Sequence, residues 1–274
     1  MGRRSFAPVL ALSLALLAGC AGPSERFTER ARALGFGAGR VAGEGFAHVA
    51  YQPAGPRPGG GRVLHVYLDG DGTPWERGRP AADPTPREPL VLRLMAVDPA
   101  PSVYLCRPCY HGLAVTPPCE PSLWTDARYS ETVVASLAAA ARRLLGMTNR
   151  TEIVWIGYSG GGALAMLLAG RMAETAAVIT VAANLDVDGW TDLHGQSRLD
   201  GSLSPARQPP LPPRIYQRHY AGGRDRVVPP RIVAGGPILP ETLMVIPEYD
   251  HTCCWVELWP RALEEVERAA GGRR

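Results

Sequence analysis

The chain has 274 residues, of which 46% are hydrophobic and 20% charged, and its formal net charge is +3. A chain of this length and composition buries one large core, and a charge so near balance gives no reason to invoke nucleic acid. No fixed-period repeat divides it.

Arg3 and Arg4 precede an apolar run from Phe6 to Ala18, and small residues follow at Ala18-Gly19. This charged, apolar, small layout is that of a secretory signal, too short to span a membrane comfortably as a helix. Leu17-Ala18-Gly19-Cys20 also resembles a bacterial lipobox. That resemblance implies a signal peptide over 1–19, lipid modification of Cys20 and anchoring in the cell envelope. Where the host has two membranes, Ala21 in place of Asp after the cysteine directs the protein to the outer one. An ordinary export signal followed by a chance cysteine is the alternative.

Residues 20–60 read as an N-terminal tether and first strand: a short helix carrying Arg and Glu, a Gly-rich tether to about residue 40, a strand over Glu44 to Tyr51 and a turn from Gly55 to Gly61. Arg62 to Leu68 is a short apolar strand, followed by Asp69-Gly70-Asp71-Gly72-Thr73-Pro74-Trp75. Arg77 to Pro89 is proline-rich coil, Leu90 to Met95 begins a helix or buried segment, and Ser102 to Leu105 is the next strand. The paired carboxylates Asp69 and Asp71 resemble the start of a calcium loop, but no glutamate closes it at the right spacing, so no metal is assigned.

Besides Cys20 there are Cys106, Cys109, Cys119, Cys253 and Cys254, an odd five that an exported domain oxidises in part. Cys109 and Cys119 bracket a loop rich in turn formers and are candidates for one disulfide. Either Cys253 and Cys254 pair with each other, or one bonds Cys106 and the other stays free. Zinc held by Cys106, Cys109 and others is disfavoured by export.

Ser130 to Leu145 places Val133, Val134, Leu137, Ala141, Leu144 and Leu145 on one helical face, ended by Gly146. It leads into Thr151 to Ala165, where an apolar strand joins a small-residue helix through Gly157-Tyr158-Ser159-Gly160-Gly161. Such a Gly-x-Ser-x-Gly turn exposes its serine above a sheet, and the N–H of Gly160 points where a carbonyl oxygen gathers charge during attack. Ala177 to Val181 is a further strand. Asn184 to Pro213 is a loop rich in Pro, Gly and Asp, with too few large apolar residues for a lipase lid. Trp190 and Leu193 in it line a pocket or simply pack.

Ile215 to Tyr220 reads as a strand running into Gly222-Gly223-Arg224-Asp225-Arg226-Val227-Val228-Pro229. Leu243 to Ile246 is another, followed by Pro247-Glu248-Tyr249-Asp250-His251. Ser159, Asp225 and His251 thus each follow a strand. His48, His65 and His219 lie inside strand-like runs and read as packing residues, and His111 and His194 as solvated or structural ones. Asp250, Asp186 and Asp188 are the competing carboxylates.

Taken together, these motifs resemble the α/β-hydrolase superfamily, whose members carry Ser, Asp and His in that chain order at the carboxyl end of a parallel sheet. The resemblance covers roughly residues 60 to 270. It implies an α/β-hydrolase fold over 61–274, mainly a parallel sheet with helices on both faces and no large lid. It further implies a serine esterase with Ser159 as nucleophile, His251 as base and Asp225 as its orienting acid. The Gly160 N–H and, by analogy, that of Asp71 form the oxyanion hole, with Gly70 or Gly72 as the alternative to Asp71. Such an enzyme acts on a small-molecule ester through an acyl-enzyme, with no cofactor and no obligate protein partner. An acyltransferase on the same triad and a non-catalytic binding lipoprotein are the other classes the sequence admits.

Overall fold

A computed structural model describes residues 21–55 and 61–271; the signal segment, Cys20 and most of the Gly55 to Gly61 turn lie outside the described residues. The elements run α1 (Pro23–Ala33), β1 (Phe36–Ala42), β2 (Ala47–Pro53), β3 (Val63–Leu68), β4 (Trp75–Glu76), β5 (Arg79–Pro80), α2 (Leu90–Ala96), β6 (Ser102–Leu105), α3 (Glu131–Thr148), β7 (Glu152–Tyr158) and α4 (Gly160–Arg171). Then come β8 (Thr175–Val181), α5 (Val187–Leu193), β9 (Tyr216–Gly222), α6 (Pro230–Ala234), β10 (Leu243–Ile246) and α7 (Trp255–Gly271).

Eight strands form one sheet in the order β1-β2-β6-β3-β7-β8-β9-β10. From β6 to β10 the pairings are parallel, and β1 and β2 add an antiparallel margin. Central strands such as β7 are buried on both faces, so they read as continuous apolar runs, Ile153-Val154-Trp155-Ile156 here. One face is covered by α3, α4 and α6 through residues such as Val133, Leu137, Leu164 and Ile232. The other carries α1, α2 and α7, with Phe27, Leu92, Trp255 and Trp259 in its core.

Three local expectations are corrected. The Gly-rich segment read as a tether is strand β1, hydrogen-bonded along its length to β2, so the strand near residue 47 is the second and not the first. The helix before the elbow does not stop at Gly146: it runs to Thr148 and ends on Asn149, whose φ of 52° supplies the left-handed cap. Within the coil expected over Arg77 to Pro89, residues 79–80 pair with Trp75–Glu76 in a small hairpin. The loop from Asn184 to Pro213 carries only α5 and a single 3-10 turn, so no large lid covers the sheet edge.

Candidate active site

Ser159 sits between the end of β7 and the first residue of α4 with φ 52° and ψ −123°. A non-glycine residue in this region stores about 1–3 kcal/mol of strain. The neighbours hold it there: its N–H donates to the Val181 carbonyl at 2.9 Å, and its own carbonyl accepts from Gly162 and Asn184. Glycine is required on either side because a β-carbon at 157 would run into the Gly161 backbone, and one at 161 into the carbonyls of Leu68 and Asp69.

The three residues expected to act together meet. His251 Nε2 lies 3.2 Å from Ser159 Oγ, and His251 Nδ1 lies 2.8 Å from Asp225 Oδ2. The second oxygen of Asp225 accepts the N–H groups of Val227 and Val228, both at 2.8 Å, so the carboxylate is fixed by its own loop. An ionised carboxylate only accepts; Nδ1 therefore carries the proton and Nε2 is left to accept from the serine hydroxyl. Trp255 donates its indole N–H to the His251 carbonyl at 3.0 Å, and the Tyr158 ring stands 5.1 Å from the imidazole. The side chain of Asp225 is fully covered while that of His251 keeps 16% of its surface open.

The competing carboxylates are engaged elsewhere. Asp250 accepts the N–H groups of Thr252 and Cys253. Asp186 caps α5 through Gly189, and Asp188 pairs with Arg198 and Arg207. The other histidines are internal ties: His48 to Ser136 and the Cys106 carbonyl, His65 to Asp98, His219 to Thr180, His111 to Tyr51 within a ring cluster, and His194 to the Val227 carbonyl. Trp190 also donates to the Val227 carbonyl, at 2.8 Å, which ties α5 to the loop of Asp225.

Gly160 opens α4, and its N–H has no acceptor among the described residues; the same holds for the N–H of Asp71. Of the two alternatives, Gly70 spends its N–H on Asp69 Oδ1 at 2.7 Å, and a β-carbon there would come within 3.3 Å of that of Ser159, while the N–H of Gly72, like that of Asp71, has no acceptor among the described residues. The side chain of Asp71 turns down into the protein. Arg107 reaches Oδ1 at 2.8 Å, Arg128 reaches Oδ2 at 3.0 Å, and the Tyr129 hydroxyl stands 2.7 Å from both. Burial alone would raise this carboxyl, but the guanidinium groups of Arg107 and Arg128 outweigh it and hold the group below the usual carboxylate range. Asp69, bonded to the Tyr104 hydroxyl, lacks such close compensation, and burial pushes it up to about 6. Arg107 also lies over the rings of Tyr110 and Tyr129, at 5.7 and 5.3 Å. With both oxygens of Asp71 taken by these groups, the calcium-loop reading of Asp69 and Asp71 has no donor set to draw on.

Sequence reasoning missed Arg107, Arg128, Tyr129 and Tyr158. Arg107 carried one usable signal, its place just past the carboxyl end of β6, where site residues of such sheets gather. Of the cysteines, Cys109 bonds Cys119 and Cys253 bonds Cys254, whereas Cys106 is a buried free thiol. The alternatives that used Cys106, as a disulfide partner or with Cys109 as a zinc ligand, are thereby set aside.

No protein-family model matches the chain, and no curated protein sequence matches it. Solved structures do. An esterase from Pyrococcus furiosus superposes with a TM-score of 0.57 at 12% identity, over 86% of this chain and 92% of that one. A serine hydrolase without a lid from Xanthomonas campestris gives 0.54 at 14% identity, over 85% and 94%. Est1E from Butyrivibrio proteoclasticus gives 0.52 at 14% identity, over 86% and 99%. The chain has the α/β-hydrolase fold.

Proposed function

We propose that the protein is a serine hydrolase that cleaves an ester-type bond through an acyl-enzyme. The observation that carries this reading is the unbroken hydrogen-bonded chain from Asp225 through His251 to Ser159, with the serine raised on a strained turn at the carboxyl end of a parallel sheet. His251 Nε2 takes the hydroxyl proton as Ser159 Oγ attacks the carbonyl carbon, and Asp225 holds the resulting imidazolium. The carbonyl oxygen, now carrying the charge, is received by the N–H groups of Gly160 and Asp71. His251 then hands its proton to the leaving alcohol, and water repeats the sequence to free the acid. In this reading Cys20 carries the lipid that anchors the enzyme in the envelope, a proposal supported by the layout of residues 3–20.

Labelling with a fluorophosphonate, read by intact mass and peptide mapping beside a Ser159→Ala control, tests the nucleophile. One adduct on Ser159 is the expected result, followed by turnover of p-nitrophenyl esters of graded chain length. A well-folded protein that takes no label ends the hydrolase reading. For the anchor, Cys20→Ser should move the protein out of the membrane fraction.

A further inference from the structure

We infer that Arg107, Arg128 and Tyr129 are positioning residues that set the oxyanion-binding loop by clamping the Asp71 side chain beneath Gly160. The inference rests on the hydrolase reading above and deepens it.

Residues 69–74 form a loop without regular structure, and a backbone donor on a loop is only as well placed as its anchor. Asp71 is anchored from two directions in the chain. Arg107 comes from the segment just past β6, and Arg128 and Tyr129 from the turn before α3. Tyr110 adds a fourth tie, its hydroxyl donating to the Asp71 carbonyl at 2.9 Å, and Arg107 also reaches the Asp69 carbonyl at 3.3 Å. Side chain and carbonyl are thus both taken, which leaves the peptide N–H as the free polar group of the residue. The far end of the clamp is the elbow itself, because the Asp71 carboxylate and the Tyr129 hydroxyl fill the space beside the Gly160 α-carbon. One side chain therefore fixes the spacing between the two proposed oxyanion donors.

The same cluster settles an electrostatic conflict. An isolated carboxylate beside Gly160 would oppose a developing oxyanion. The guanidinium groups of Arg107 and Arg128 counter that: set against the carboxylates of Asp71 and Asp69, the second of which also feels Arg107, they bring the cluster close to charge balance, so the start of α4, where the helix terminus already favours an anion, is not left negative. Both guanidinium groups are nearly fully covered, 4% and 5% exposed, so water screens little of this.

Tyr129→Phe removes one hydroxyl, Arg128→Met removes one charged clamp, and Arg128→Lys restores the charge without the fork. In steady-state ester hydrolysis, Arg128→Met should lower kcat about 10- to 100-fold, the scale of a donor displaced by a fraction of an ångström to an ångström. KM should stay within about twofold and the pH profile of kcat should keep its position. Tyr129→Phe should show a smaller fall of the same kind, and Arg128→Lys a partial recovery. If Arg128→Met does not fold, Tyr129→Phe decides. Folded variants with wild-type kcat overturn the inference, as does a fall that travels with a displaced pH profile or a raised KM, since the cluster would then act through the base or the substrate pocket. A wild-type protein that takes no fluorophosphonate fails at the earlier step and removes the hydrolase reading and this inference together.

Discussion

The carboxylate of Asp71 lies in the space that a β-carbon on residue 160 would fill, with the hydroxyl of Tyr129 beside it. The Gly-x-Ser-x-Gly pattern leaves the position after the serine open, yet here it admits only glycine. Gly160→Ala should cost about 1–3 kcal/mol through overpacking. It should also cut ester turnover at least tenfold by pushing Asp71 off its seat. Unfolding midpoints and kcat, measured on the same preparation, check both; an alanine that leaves kcat unchanged would show that the carboxylate is not the neighbour that matters.

Asp225→Asn separates orientation from bulk. The carboxamide oxygen can still accept from Val227 and Val228, which leaves the NH2 group facing His251 Nδ1. Nδ1 must then accept, so Nε2 carries the ring proton and can no longer take one from Ser159. The expected result is a folded enzyme with kcat lowered on the order of 10³- to 10⁴-fold. A loss below tenfold would assign the orienting role to another carboxylate.

Cys109 and Cys119 close a loop of sequence separation 10 that carries Tyr110 and His111, contacts of Asp71 and Thr85. A loop of this size restrains the unfolded chain by about 3 kcal/mol. Replacing both cysteines by alanine should therefore lower Tm by about 6–12 °C for a domain this large. Thermal unfolding followed by circular dichroism measures it, and an unchanged Tm would contradict the account.

Acid should unfold this protein early. Burial holds His48 down to about 4, and His111 and His219 to about 3, from an ordinary 6.5. Their unfolded counterparts take up protons as pH falls through 6.5 while the folded imidazoles do not, so stability is complete above that value and drains away below it. Asp69 works the other way, since its folded carboxyl protonates near 6 and its unfolded one near 3.8. The balance, three groups against one, is about two protons gained on unfolding, a slope of roughly 3 kcal/mol per pH unit between about pH 6 and 4. Urea midpoints across that range test the sign: a flat or rising profile on acidification would refute it.

Much of this arrangement is legible in the amino-acid order, and the exceptions have physical causes. Ser102 to Leu105 and Leu243 to Ile246 coincide with β6 and β10, since short apolar runs bounded by turn formers have few other fates in this pattern. Ser159, Asp225 and His251 are found because each stands just past such a run. β1 escapes because it is an edge strand with Phe36 and Val41 as its buried residues and glycines between them, so the alternation that marks a half-buried strand is missing. α7 hides behind Pro260 within it, a residue that ordinarily marks a helix boundary. The clamp on Asp71 is the least readable part. Arg107 and Arg128 stand 36 and 57 residues from their carboxylate, and a charged side chain shows no sign in sequence of having been taken inside.

Cys106 is the one free cysteine among the described residues. It stands three positions before Cys109, near enough in the chain to compete for the same partner before the sheet has formed. Once β6 is seated its thiol is buried and burial raises it well above its ordinary value, so the thiolate that attacks a disulfide is suppressed and out of reach. The finished sheet thereby protects the Cys109–Cys119 bond from scrambling, and the odd thiol is made harmless by the same packing that holds Arg107 beside Asp71.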